Sequence, residues 1–371
     1  MATDATPGSS TPTVSIVVPT YQESANISIL FERIKVALVG LPWEMIVVDD
    51  DSPDGTSNVA FSLAAEDRRL RCLRRVNRSG LAGAVIEGWM SSSADFVAVI
   101  DGDLQHDESI LRVMHQILAE GASNLVIGTR LRKDGGGNLS LARQRLSDLG
   151  AWFFRRIGRT TVTDPMSGFF MVRREIVSRL APQLSADGFK ILVDVILSAG
   201  DGLHIVEVPY VFRKRRAGES KLTSLVAIDF LGLVVHHATA GVLPIRFVLF
   251  AMVGAFGLIV HIAALSIAIA WLKAFDVGQL IATILAMASN FFLNNQITYR
   301  SYRYSGPNLL FGFIYFALSC SVGAIANIDT ASWLYNAHET WWVAGLAGAL
   351  LSIVWNYAVS TNLVWRQRRR R

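Results

Sequence analysis

Cysteine is nearly absent: the 371 residues hold two, Cys72 in a charged region and Cys320 in an apolar run. A disulfide scaffold is excluded, and with no Cys-x-x-Cys spacing so is a thiolate metal site. A reducing, cytosolic face is the simplest home for the charged region. Acidic residues are scarce in the last third, where only Asp276, Asp329 and Glu339 follow Asp229. The first dozen residues lack a basic start and an apolar stretch, so they do not read as a secretory signal. Their Ser, Thr, Pro, Ala and Gly content reads as disorder over 1–12.

What is present is apolar and split. Hydrophobic residues make up 51%, mean hydropathy is +0.37, and charged residues still reach 18%. These values fit a split into a charged soluble part and an apolar part. Net charge is +5, much of it from the tail Arg366-Gln367-Arg368-Arg369-Arg370-Arg371. The basic residues lie beside apolar spans, which favours anionic lipid headgroups over nucleic acid as the partner.

The charged part is organised around Val97-Ala98-Val99-Ile100-Asp101-Gly102-Asp103-Leu104-Gln105-His106. Four apolar residues in a row read as a strand buried on both faces, as in a parallel sheet. Two carboxylates around a glycine do not belong in a packed core, because an unpaired buried charge is costly. They belong where the strand leaves the sheet, the edge at which open α/β sheets bind ligands. A hard divalent cation suits such a pair; a solvated acidic turn is the plainer alternative.

Other segments point to the same edge. Val14 to Pro19 reads as a first strand, Glu44 to Val48 as a second and Arg71 to Arg75 as a short third. Helical periodicity covers Asn26 to about Val39 and Thr56 to about Glu66. Asn77 to Ala84 reads as a loop entering a helix, and Asn124 to Arg130 as a further strand. This alternation predicts a doubly wound, mostly parallel sheet. Glu23, Asp49 to Asp51, and Asp101 with Asp103 stand at three strand ends and converge on one edge.

Pro19-Thr20-Tyr21-Gln22-Glu23, Val47-Val48-Asp49-Asp50-Asp51-Ser52-Pro53-Asp54 and Asp101-Gly102-Asp103-Leu104-Gln105-His106 resemble family 2 glycosyltransferases of the GT-A fold. Asp164-Pro165-Met166-Ser167-Gly168-Phe169-Phe170, Gly188 to Leu192 and Arg215 to Lys221 resemble the dolichol-phosphate (polyprenyl-phosphate) mannose synthase branch. The resemblance spans about 13–225, with the motifs in order.

The resemblance implies roles. Pro19, Tyr21 and Glu23 would contact the nucleotide, with Val48 and Asp50 at the second strand end. Asp101 and Gly102 would lie against the sugar and ribose. Asp103 and Gln105 would hold Mg²⁺ or Mn²⁺ on the diphosphate, although Gln105 also reads as an ordinary turn residue. Arg130, Arg143 and Ser147 would grip the acceptor phosphate; Arg145 is a second candidate beside Arg143. Lys190, Arg215 and Lys221 would bind the donor diphosphate. Lys133 to Asn138 reads as a mobile loop over the site. His106 is read as a supporting or turn histidine. Asp101, Asp103 and Arg130 are the residues expected to carry the reaction.

The implied reaction moves mannose from GDP-mannose to dolichyl or polyprenyl phosphate, with inversion. UDP-glucose is the near alternative donor, and a lipid-linked sugar flippase is a rival of another class. A processive polysaccharide synthase is disfavoured by the missing Gln-x-x-Arg-Trp segment. A phosphate monoester is largely ionised near neutral pH, its second pKa being about 6, so no general base is needed. Cations and a metal meet the charge on the departing diphosphate.

On this reading the glycosyltransferase domain covers 13–221. Residues 222–244 read as an interfacial amphipathic helix, or alternatively as a plain surface helix. Four spans follow, about 245–272, 277–298, 307–328 and 341–364, then the basic tail 366–371. Arg300 and Arg303 flank the second connection, while the first and third carry few charges. Both termini and the catalytic domain are therefore expected on the cytoplasmic side. Asn290, Asn294, Asn295 and Asn356 fall at or near membrane depth. With Arg246-Phe247 they resemble the GtrA-like four-helix family. The asparagines read first as helix–helix glue and second as a transport path.

Overall fold

The computed structural model describes residues 11–76, 78, 80–131, 162–185, 191–213, 235, 239, 243–272, 275–338 and 340–365. The chain divides into two compact units, Met1–Ala238 and Thr239–Arg371.

The first unit holds seven strands in one sheet. In chain order they are β1 Val14–Thr20, β2 Trp43–Asp49, β3 Leu70–Arg74, β4 Phe96–Val99, β5 Leu125–Leu131, β6 Phe170–Arg173 and β7 Ile205–Val211. Their order across the sheet is β3-β2-β1-β4-β6-β5-β7. All pairings are parallel except the two made by β6, which runs against β4 and β5. The chain builds outward from β1 to β3, then returns to place β4 on the other side of β1. A switch point therefore opens between the ends of β1 and β4, where open α/β sheets take ligands.

Helices cover both faces: α1 Ser24–Ala37, α2 Thr56–Glu66, α3 Leu81–Met90, α4 Leu111–Ala119, α5 Arg174–Leu180 and α6 Ile191–Ala199. This is why β2 is buried along its whole length and reads as an unbroken apolar run. Along β1, Ile16 and Val18 pack with Ile27, Leu30 and Ile34 of α1. Val17 points the other way, against Gly88 of α3, where a Cβ would fall 2.4 Å from Val17 Cγ1. Strand β1 runs one residue past Pro19; the β4 ladder stops at Val17, so the missing N–H costs nothing on that side.

The second unit contains α7 Ile245–Leu272, α8 Phe275–Gln296, α9 Asn308–Asn336 and α10 Trp341–Val359, the last continuing as a π turn over Ser360–Val364. Among the described residues, Ile245–Trp271, Val277–Gln296 and Asn308–Leu334 are long and apolar enough to cross a membrane. The two hairpins, α7/α8 and α9/α10, repeat one contact. A Cβ at Gly257 would fall 2.1 Å from Asn290 Oδ1, and a Cβ at Gly323 would fall 2.2 Å from Asn356 Oδ1. Each member of the second pair lies 66 residues after its counterpart. Aromatic contacts follow the same offset: Phe250–Tyr357 and Phe316–Phe291 both have centroids 5.8 Å apart. Tyr299 and Trp365, also 66 residues apart, stack at 4.3 Å with planes 5° apart. The unit is thus a duplicated hairpin with pseudo-twofold symmetry. Asn290 and Asn356 pack against the bare backbone of Gly257 and Gly323, with their Oδ1 atoms buried.

Candidate active site

Three loops leave the sheet at the switch-point edge, and each contains a non-glycine residue with positive φ: Gln22 after β1 (62°), Asp51 after β2 (55°) and Leu104 after β4 (62°). Such backbone costs roughly 1–3 kcal/mol per residue and concentrates at functional sites. The loops also touch. A Cβ at Gly102 would stand 3.5 Å from Glu23 Cγ and from Thr20 Cγ2.

Of the two carboxylates in Asp-Gly-Asp, one stays open and one does not. The Asp101 side chain is 37% exposed. Asp103 is only 5% exposed, contrary to the expectation that neither could be buried. Burial is tolerated because Asp103 Oδ1 accepts the Gln105 backbone N–H at 3.1 Å. Gln105 Nε2 donates to the Arg213 carbonyl at 3.1 Å. Only the amide nitrogen can face that carbonyl, so the carboxamide oxygen Oε1 is the atom left for a ligand. Among the described residues no group of three or more His, Cys, Asp or Glu is arranged to hold a metal ion by itself. Carboxylate and carboxamide oxygens are hard donors, which fit Mg²⁺ or Mn²⁺ completed by substrate oxygens and water.

The acidic cluster after β2 divides by role. Asp49 is fully buried and accepts hydrogen bonds from Thr20 Oγ1 at 2.9 Å, the Ser52 amide at 3.0 Å, the Ser52 hydroxyl at 2.5 Å and the Ser57 hydroxyl. It ties the loop to β1 and to α2. Asp51 pairs with Arg74 at 2.5 Å. Asp50 accepts Arg75 Nη1 at 2.6 Å and the Gly80 amide at 2.7 Å. Burial pushes the Asp50 carboxyl above its usual range, while Gly80 and Arg75 pull it back. Pro19 and Val48 sit side by side in the β1–β2 register, Tyr21 is exposed, and Glu23 accepts Asn26 Nδ2 at 2.6 Å.

Arg130 leaves β5 with its guanidinium forked on Asp164, Nε to Oδ2 at 2.7 Å and Nη2 to Oδ1 at 2.8 Å. Phe212 lies under the guanidinium at 5.5 Å. The other proposed cation-bearing and acceptor residues, Arg143, Ser147, Lys190, Arg215 and Lys221, lie outside the described residues. So do the glycine-containing loop 133–138 and most of 222–244.

The end of β7 supplies a set of supporting contacts that the sequence reading did not include. Arg213 donates its amide to the Gln105 carbonyl at 2.8 Å, and its guanidinium reaches the His106 carbonyl, Asp107 and Glu108 at 2.9, 2.9 and 2.6 Å. His106 is buried, with Nδ1 2.6 Å from the Tyr210 hydroxyl and Nε2 3.2 Å from Asp101 Oδ2. Burial pushes the Tyr210 phenol well above its ordinary range, so it stays protonated. The signal available for β7 was the Val/Ile/Tyr content of Ile205–Val211. Pro209 lies within it, and β7 is the sheet's edge, where proline is admitted.

Residues 15–181 match the family model described as glycosyl transferase family 2, and residues 249–365 that described as GtrA/DPMS, transmembrane domain. The chain is 31% identical to a dolichol-phosphate mannosyltransferase of Pyrococcus furiosus, across 95% of this chain and 99% of the relative. It is 32% identical to one of Mycosarcoma maydis, across 65% and 85%, and 31% identical to one of Saccharomyces cerevisiae, across 58% and 84%. In fold, the chain is similar to glucosyl-3-phosphoglycerate synthase from Mycobacterium tuberculosis, solved with Mn²⁺, UDP-glucose and phosphoglyceric acid. The TM-score is 0.50 at 22% identity, covering 62% of this chain and 80% of that one. That likeness concerns the GT-A-like architecture alone.

Proposed function

We propose, because the chain belongs to the dolichol-phosphate mannosyltransferase family of glycosyltransferases, that it transfers mannose from GDP-mannose to a dolichyl or polyprenyl phosphate, with inversion at the anomeric carbon. The observation that carries this reading is the meeting of three strained strand-end loops at the switch point. There Asp101 is accessible and the Gln105 amide is turned with its oxygen free for a ligand.

The residues divide the work. Pro19, Tyr21, Glu23, Val48 and Asp50 border the place for the nucleoside. Asp101 and Gly102 take the sugar and ribose side. Mg²⁺ or Mn²⁺ held by Asp103 and Gln105 would neutralise charge on the departing diphosphate. Lys190, Arg215 and Lys221 would add fixed positive charge for the same group. Arg130, with Arg143 and Ser147, would align the acceptor phosphate. That phosphate is already an anion, so the site must supply position rather than a base. The C-terminal helices hold the protein in the bilayer, and the flanking arginines favour a cytoplasmic catalytic domain and termini.

A donor panel tests the proposal. Purified protein is given radiolabelled GDP-mannose, UDP-glucose and other sugar nucleotides with a short polyprenyl phosphate, with and without Mg²⁺ or Mn²⁺. Metal-dependent label in the lipid phase from GDP-mannose, with the β configuration in the product, is the expected result. Label from UDP-glucose instead would move the assignment to a glucosyltransferase. No transfer from any donor would favour a flippase.

A further inference from the structure

His106 occupies a position that packing alone does not explain. Its ring is enclosed by three aromatic rings, Phe169 at 5.2 Å, Phe212 at 5.5 Å and Tyr210 at 5.6 Å. Within that enclosure both nitrogens are used: Nδ1 meets the Tyr210 hydroxyl and Nε2 meets Asp101 Oδ2. With both committed, no ring nitrogen is left over to bind a metal or to take an acceptor's proton.

The direction of the hydrogen bonds follows from the partners. An ionised carboxylate only accepts, so a neutral imidazole must carry its hydrogen on Nε2. Its Nδ1 lone pair then needs a donor, and the Tyr210 hydroxyl at 2.6 Å is one. The chain runs from Tyr210 O–H to His106 Nδ1, and from His106 Nε2–H to Asp101. Asp101 is also confined on another side. A Cβ at Gly168 would fall 2.6 Å from Asp101 Oδ2, so the carboxylate packs against bare backbone there. One oxygen of Asp101 is thus assigned to histidine, and the other keeps its acceptor capacity.

We propose that His106 is a positioning residue for sugar transfer: it fixes the Asp101 carboxylate in one orientation, and Tyr210 locks the imidazole in the Nε2–H tautomer. The role rests on the transferase reading above, in which Asp101 faces the donor sugar. Such support orients a group that touches substrate without touching substrate itself, and its loss is felt as misplacement. The arrangement joins the loop after β4 to β7, two elements about a hundred residues apart in the chain. It also explains why the motif ends in histidine rather than in any polar residue that could close a turn.

The test uses the full chain in detergent, with His106→Ala, His106→Gln and Tyr210→Phe. Glutamine keeps an amide N–H near the Nε2 position. His106→Ala should lower kcat by about 10–100-fold with the KM for polyprenyl phosphate unchanged. His106→Gln should recover at least a third of the lost activity on a logarithmic scale, and Tyr210→Phe should lose several-fold. Nitrogen NMR of the imidazoles in resting protein, with His106→Gln identifying the signal, should show Nε2 protonated and Nδ1 bare, and Tyr210→Phe should shift Nδ1. A kcat for His106→Ala within twofold of wild type, a glutamine variant no better than alanine, or an Nδ1–H tautomer would each overturn the proposal. Should His106→Ala not fold, Tyr210→Phe and the tautomer decide. A wild-type chain that transfers no sugar contradicts the transferase reading instead, while the tautomer, measured without turnover, is judged separately.

Discussion

Asp164 holds two nitrogens of the Arg130 guanidinium, and Glu207 in turn holds the backbone beside Asp164 through the Thr163 amide at 3.0 Å and the Asp164 amide at 3.3 Å. Arg130 is therefore aimed from β7 as well as from its own strand. A planar fork, not charge alone, is what this arrangement selects. Arg130→Lys should lower kcat/KM for polyprenyl phosphate by about 10–100-fold, and Asp164→Asn should lower it as well, while sugar-nucleotide affinity by calorimetry stays within twofold. A matching loss of donor affinity in Arg130→Lys would show that Arg130 serves the donor.

Gly168 makes a sharper case, because the smallest possible side chain already collides with Asp101. Gly168→Ala should reduce transfer by about 100-fold, since an ångström of misplacement at a reacting centre costs that order. The melting temperature should change little, because Gly168 is only partly buried. Steady-state kinetics beside a thermal scan check this; an active alanine variant would mean that Asp101 does not need its present place.

The duplicated hairpin predicts matched effects in the second unit. Gly257→Leu and Gly323→Leu each drive a side chain into the facing asparagine. Each should destabilise the helical unit by about 1–3 kcal/mol, the usual cost of overpacking, and by similar amounts. Thermal unfolding in one detergent measures both. A large loss for one and none for the other would contradict the symmetry.

Cys72 gives a pH-dependent outcome. Burial pushes its thiol up to about 12, and Asp49 pushes the same way. Only the thiolate alkylates, so its reaction with iodoacetamide should climb tenfold per pH unit through pH 10. Mass spectrometry of the peptide containing Cys72 follows it; a plateau near pH 9 would contradict the buried, neutral thiol.

Much of this fold was legible because a parallel sheet buried on both faces writes itself as apolar runs ending in polar residues. Val14–Thr20, Trp43–Asp49 and Phe96–Val99 all follow that rule, and their ends do share one edge. Residue pattern alone could not separate Asp49 from Asp50; the family resemblance singles out Asp50, and the structure buries Asp49 among hydroxyls and sets Asp50 beside Arg75. Nor could it show that Asp103 is buried while Asp101 is open. The supports from Tyr210 and Arg213 were illegible for a different reason. They join residues more than a hundred positions apart, and no local periodicity records such a pairing. The 66-residue offset was present in the sequence, but identity is low between the halves and the paired Gly–Asn and aromatic contacts reveal it.

On the proposed function, Asp-Gly-Asp at the switch point carries metal-assisted mannosyl transfer to a lipid phosphate. The most direct measurement is the initial rate of label transfer from GDP-mannose into polyprenyl phosphate by wild type and Asp103→Asn, each titrated with Mn²⁺. Wild type should be silent after chelation and restored by Mn²⁺, whereas Asp103→Asn should fall by about a hundredfold or more and be only partly recovered at high Mn²⁺. Equal rates for the two proteins, or undiminished wild-type transfer with the metal chelated, would contradict it.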